Sequence, residues 1–273
     1  MSVTLAAEAA AEEPSPFLKL IEHLSPHHYG WAPEIKVGNV DLTPTSAVLN
    51  LWGAALLTII IFAVAASKTS LVPKGLRNAI EVMVDFVKSN IVYSVMSAKD
   101  GKAWYPFIGT TFFFILMMNL VGLIPYFGFT PTSNIWVTAA LALGIYLMAV
   151  AIGMARHGVF TFWKKSLVPP DIPKALLPLM VPIEIISQLA RPFSLAVRLF
   201  ANMLADHVIL LIFVGFIFLV GTSFAVGHVI VIPIAMTMEI VFTAFALFVA
   251  FIQAVIFSFL TTIYINDALH PGH

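Results

Sequence analysis

Cysteine is absent from the 273 residues. That excludes disulfides and thiolate metal sites and leaves the redox compartment undetermined. Charge is the second scarcity: 10% of residues are Asp, Glu, Lys or Arg, against about a quarter in a soluble domain. The 14 basic and 14 acidic residues cancel, so the net charge points neither to nucleic acid nor to strong binding at an anionic membrane surface. No GxxxxGK[ST] loop occurs, so no P-loop nucleotide site is expected. The N-terminal stretch MSVTLAAEAAAEEPSPF lacks a basic n-region and carries Glu8, Glu12 and Glu13 where a secretory signal needs an apolar core. It reads as a mobile acidic arm. His23, His27 and His28 within it read as solvated side chains, with no metal expected.

Apolar residues fill the space that charge leaves. They make up 60% of the chain, and the mean hydropathy is +0.98. A helix crossing the hydrocarbon core needs about 20 apolar residues. Residues 47–66, 104–126 and 135–155 satisfy this, and two longer tracts follow at 175–221 and 228–266. The expected fold is an all-α polytopic membrane protein with five membrane helices, the last two long and strongly tilted. Residues 74–95 differ: Leu76, Ile80, Met83, Val84, Val87 and Ile91 recur at helical spacing while Lys74, Arg77, Glu81, Asp85 and Lys88 take the other face. That pattern predicts one amphipathic surface helix.

Basic residues concentrate in two loops. Residues 68–102 hold Lys68, Lys74, Arg77, Lys88, Lys99 and Lys102, and residues 156–174 hold Arg156, Lys164, Lys165 and Lys174. The positive-inside rule puts both loops and the C-terminus in the cytoplasm. Residues 1–45 are then a periplasmic arm and 46–273 a membrane domain.

Five charged residues fall within the last two tracts: Glu184, Arg191, Arg198, Asp206 and Glu239. Each costs about 2.5–3.5 kcal/mol at a bilayer centre on the insertion scale. Glu184, Arg191 and Arg198 are seven apart with Ser187 and Ser194 beside them, one helical stripe running from the cytoplasmic end. The plainer alternative is a Glu184–Arg191 pair at the interface. Asn202 and Asp206 continue by steps of four, and His207, nine residues on, falls opposite Arg198 at about 100° per residue. Glu239 and Gln253 lie fourteen apart on nearly one face, with Glu239 in the same outer half as His207. Histidine and glutamate can both carry protons. The Arg198 guanidinium does not release its own and acts only as a fixed charge. A fixed cation between two proton-access paths blocks direct hopping between them and favours the ionised form of a carboxylate passing by.

The run SLAVRLFANMLADH, residues 194–207, together with FIQAVIFSFLTTIYINDAL in the last tract, resembles subunit a of F-type ATP synthases, the stator protein beside the rotating c-ring. The resemblance covers nearly the whole chain, including MMNLVGLIP in the second span and the FTPTSN loop. It implies a non-catalytic subunit without cofactor or metal. Its implied partners are c-ring subunits, peripheral-stalk b subunits and the rest of the complex, in a bacterial inner membrane. It implies that Arg198 is the essential arginine facing the ring carboxylate, with Asn202 and Gln253 as polar neighbours. Glu184, Ser187 and Ser194 would line the cytoplasmic half-channel and His207 the outer one; Asp206 and Glu239 are further half-channel candidates. His207 falls where many bacterial members carry glutamate and mitochondrial ones histidine. Ala246 stands where the family commonly has histidine or glutamate, and Gly122 where some bacterial members have aspartate, so Glu239 is expected to supply the missing acid. The alternative is a secondary transporter or channel using its own intramembrane charges, a class that often shows repeated halves; no internal repeat is present. A scaffold whose charges only pair with partner subunits is the other rival.

Overall fold

The computed structural model describes residues 36–37, 40–41, 45–66, 75–124, 131–168, 176–221 and 225–271. Most of the N-terminal arm with its three histidines, residues 67–74, 125–130, 169–175 and 222–224 lie outside the described residues. A minimal antiparallel pair, β1 (Lys36–Val37) with β2 (Val40–Asp41), precedes the helices. These are α1 (Ser46–Ala66), α2 (Leu76–Phe86) running into a π-helical turn (Val87–Val92), α3 (Ala98–Gly122), α4 (Ile135–His157), α5 (Val159–Leu167), α6 (Leu177–Gly221) and α7 (Ala225–Leu269), with a 3₁₀ turn (Pro131–Ser133) before α4.

Local chemistry explains where the helices begin and end. α3 starts six residues ahead of the apolar run at Trp104 because Ser97 is its N-cap and is itself held by Asp100. The Asp100 amide donates to Ser97 Oγ at 3.2 Å and the Ser97 hydroxyl donates to Asp100 Oδ2 at 2.9 Å. Asn134 caps α4 by accepting from the Trp136 amide at 2.9 Å. α4 stops at Gly158, whose φ of +80° suits glycine alone. α6 runs on through Pro182 and Pro192 as one helix. Inside the spans, hydroxyls fold back onto carbonyls one turn earlier: Thr58 on Ala54, Thr261 on Phe257 and Thr262 on Ser258. Donors with no water available are thereby satisfied.

α1, α3, α4 and residues Ile232–Leu269 of α7 are each long and apolar enough to cross a membrane. α6 carries Glu184, Arg191, Arg198 and Asp206 along its 45 residues. The chain is an all-α polytopic membrane protein. α7 is the central element, packed along α3, α4 and α6, while α1 leans on α3. Phe112 and Phe113 at the middle of α3 meet Phe251 of α7 and Phe62 of α1 edge-on, with ring centroids 6.0 and 4.7 Å apart. The amphipathic stretch lays its apolar side on protein: Ile80, Val87, Ile91 and Val92 are buried in the core. Asn119 of MMNLVGLIP and Thr132 of FTPTSN, both fully buried, meet through a 3.1 Å hydrogen bond from the threonine. The two motifs are one joint between α3 and the turn before α4.

The ends of three helices are tied together by polar contacts. Asp100 at the start of α3 pairs with Arg156 of α4 at 3.7 Å and with His270 beyond α7 at 3.1 Å. His157 Nε2 lies 2.9 Å from the Leu269 carbonyl. α5 is pinned by shape: Phe162 is buried against Gly153 of α4, where an added Cβ would sit 2.2 Å from its ring. Gly153→Ala is therefore expected to lower stability by about 1–3 kcal/mol through overpacking. Thermal unfolding of the solubilised protein should show the loss, and Phe162→Leu in the same chain should recover most of it.

Candidate functional site

The packing of α6 decides which side chains point where. Leu195, Leu199 and Met203, spaced by four, are buried together with Ala196. Arg198 falls on the opposite side and is exposed, flanked by Ser194, Ala201 and Ala205, also exposed. Among the described residues its guanidinium has no ion pair. A cation that cannot shed its proton thus stands on a face whose neighbours are small, which lets another helix come close.

One turn further, Asn202 bridges to α7. Its amide donates to Gln253 Oε1 at 2.8 Å. Gln253 is 1% exposed, and its Nε2 has no partner among the described residues. Leaving such a buried donor unmade costs about 1–3 kcal/mol. The expected neighbours of Arg198 are therefore joined to each other, across the seam between α6 and α7.

Beyond this bridge lies a cavity of about 40 Å³, room for more than one water molecule. Asp206 and His207 of α6 and Glu239 of α7 all line it, with Met203, Phe213 and Phe242 as its apolar walls. Phe213 and Phe242 close it with ring centroids 5.2 Å apart. Asp206 Oδ2 is buried without a partner among the described residues. Gly122 of α3 and Ala246 of α7 also face this cavity. The two positions where this chain lacks an acid and the Glu239 it possesses share one space.

At the other end of α6, Glu184 is held in a polar knot. Gln188 donates to Glu184 Oε1 at 3.3 Å and to Ser166 Oγ of α5 at 2.9 Å, and Tyr146 of α4 donates to Gln188 Oε1 at 3.4 Å. Ser187 is half-buried nearby in sequence, and Ser194 is exposed. Arg191 does not pair with Glu184. Its guanidinium meets Asp267 of α7 at 2.8 Å and lies over the Tyr264 ring at 5.9 Å, while the Tyr264 hydroxyl donates to the Arg191 carbonyl at 3.3 Å. Asp267 lies 76 residues away in sequence, so helical spacing on α6 alone could not reveal it. Tyr146, Ser166, Gln188 and Asp267 are the polar residues that sequence reasoning passed over. Gln188 and Tyr146 carried one usable signal, a hydrogen-bonding group inside an otherwise apolar tract.

Comparison with known proteins identifies the family. The model of the family described as "ATP synthase A chain" matches residues 48–266. A protein of Granulibacter bethesdensis named ATP synthase subunit a is 40% identical over 243 residues, covering 89% of this chain and 93% of its own. The protein of that name from Maricaulis maris is 42% identical, covering 86% and 91%. That from Pelagibacter ubique is 39% identical, covering 90% and 96%. With the family model spanning most of its length and relatives near 40% identity matched over nearly their whole chains, this chain belongs to the ATP synthase A chain family, that of subunit a.

Proposed function

We propose that the chain is the stator subunit of a proton-driven ATP synthase, in which Arg198 is the fixed charge separating two proton half-channels. The observation that carries this reading is Arg198 itself: exposed, without an ion pair among the described residues, and flanked by small side chains on a helix face. The ring of c subunits supplies the missing counter-charge, a carboxylate that is drawn into its ionised form as it passes. As a member of its family the subunit is non-catalytic; ATP chemistry takes place on other subunits.

The two half-channels follow the two polar ends of α6. The outer one is the cavity of Asp206, His207 and Glu239, with the Asn202–Gln253 bridge one turn of α6 nearer to Arg198. The cytoplasmic one begins at Glu184 and Ser187 and reaches Arg198 past Ser194. Positive-inside loops give the orientation, with the N-terminus periplasmic and the C-terminus cytoplasmic in a bacterial inner membrane. Peripheral-stalk b subunits hold the subunit against the torque of the ring. A proton entering the outer cavity neutralises a ring carboxylate, rides the ring, and is released by Arg198 on the cytoplasmic side. Each proton brings about 2.3 kcal/mol per 100 mV of membrane potential to this rotation.

Glu239 takes over the acid duty that Ala246 and Gly122 leave vacant, since all three positions open on one cavity. Arg191 serves the seam: with Asp267 and Tyr264 on the cytoplasmic side, and Asn202–Gln253 on the outer side, it brackets Arg198 with two clamps.

Three measurements on the assembled complex in vesicles test this reading. With Arg198→Ala, ATP-driven proton pumping should vanish while passive leak persists or rises; pumping near the wild-type rate would sink the assignment. Glu239→Gln should slow pumping by on the order of 100-fold, as loss of a positioned proton-transfer group does. Adding Ala246→Glu to it should restore most of the rate by returning an acid to the cavity. Asp267→Asn should weaken pumping and raise leak, whereas the exchange Arg191→Asp with Asp267→Arg should recover both.

A further inference from the structure

α5 is built the wrong way round for a helix facing water. Its inward contacts are Phe162 against Gly153 and Ser166 to Gln188. The side turned away from the protein carries Val159, Phe160 and Trp163, and Phe160 is 92% exposed. Val159, Trp163 and Leu167 are spaced by four, a single stripe along the helix. Beside that stripe runs an open groove of about 430 Å³, walled by Val159, Phe160, Trp163, Leu167, Val168 and, from α6, Val181. One charged residue lines it: Lys164. Lys165 follows in the same last turn, and both lysines are exposed.

We propose that this groove binds an anionic phospholipid, with an acyl chain along Val159, Trp163, Leu167 and Val181 and the phosphate at Lys164 and Lys165. Three features converge on that ligand. An apolar wall with a tryptophan is what the membrane interface selects, where the indole sits at headgroup depth. The volume falls within the range of about 300–1,000 Å³ for small-molecule sites lined by apolar residues with few polar groups. The lysine stems add apolar length while their ammonium groups reach the phosphate plane. Glu184, one turn past Val181 on α6, is engaged by Gln188, so its carboxylate is already held in the knot beside α5. A free phosphate would have no use for the apolar wall, and a zwitterionic lipid would gain little from two lysines. The zero net charge of the chain hides this local basic site.

The test uses the assembled complex in vesicles doped with phosphatidylglycerol or phosphatidylcholine carrying a photoactivatable group on one acyl chain. After illumination, cross-links are read on the peptides that contain residues 159–168 and Val181. Phosphatidylglycerol should label them in clear excess over phosphatidylcholine. Lys164→Gln with Lys165→Gln should remove that excess, roughly fivefold per lysine, with pumping retained because neither lysine belongs to the proton path. Val181→Trp, which fills the groove, should reduce labelling by both lipids. Equal labelling by the two lipids in the wild type, or an excess that survives loss of both lysines, would mean bulk lipid only and overturn the proposal. No labelling at all in the assembled complex would overturn it too, because a protein segment would then cover the groove.

Discussion

A guanidinium keeps its proton even in hydrocarbon, and the structure around α6 and α7 is organised by that constraint. Placing Arg198 near a bilayer centre costs about 2.5–3.5 kcal/mol on the insertion scale unless a partner or water reaches it. The chain deals with its two intramembrane arginines in different ways. Arg191 is neutralised at home, by Asp267 and the face of Tyr264. Arg198 is left on the outer face of the seam, and what surrounds it is made rigid instead: Leu195, Leu199 and Met203 are buried behind it, and Asn202 crosses to Gln253 beside it. On α7 the buried stripe Ala246, Ala250 and Ala254 has the small side chains that allow two helix backbones to approach. A charge held in place with no ion pair among the described residues suits the passing carboxylate of the proposed function.

Much of this was legible beforehand because lipid simplifies the code. Apolar runs of about 20 residues announce helices whatever their tertiary partners, and the charges that interrupt them stand out. The placement of His207 with Glu239 followed from depth alone, since both fall in the same half of the last two tracts. Contacts between distant stretches were not legible. No periodicity on α6 names Asp267 as the partner of Arg191, and the Gln188 knot draws on three helices at once. The start of α3 was missed for a local reason: Ser97 and Asp100 extend the helix into polar sequence that a hydropathy run ignores. The MMNLVGLIP and FTPTSN motifs were read as family marks, whereas Asn119 and Thr132 make them halves of one buried joint.

If the cavity of Asp206, His207 and Glu239 is the outer half-channel proposed above, its acid need not sit on one fixed turn of one helix. What such a path requires is a titratable group within reach of water and of the next acceptor. It does not require that group on a given turn of a given helix. Gly122, Ala246 and Glu239 open on the same 40 Å³, so an acid lost from two walls can be replaced from a third. The replacement is not free of consequence. Glu239 lies fourteen residues, about 21 Å of helix, from Gln253, whereas Ala246 lies half as far. In the proposed path the acid therefore lies nearer the mouth, leaving the remainder to His207 and Asp206.

The length of α6 sets the geometry of the whole path. Glu184 and His207 are 23 residues apart, about 35 Å along a straight helix, slightly more than the hydrocarbon thickness of about 30 Å. Upright, the helix would put both groups at the membrane surfaces and leave no polar side chain to lead inward. Its full 45 residues reach about 68 Å, so α6 cannot stand upright with both ends in the membrane. Tilt shortens the projection and draws Glu184 and His207 into the bilayer from opposite sides. Arg198, fourteen residues from one and nine from the other, remains between them. On the proposed function, the excess length of α6 and α7 is what would turn two shallow polar ends into two paths that stop short of each other at one fixed charge.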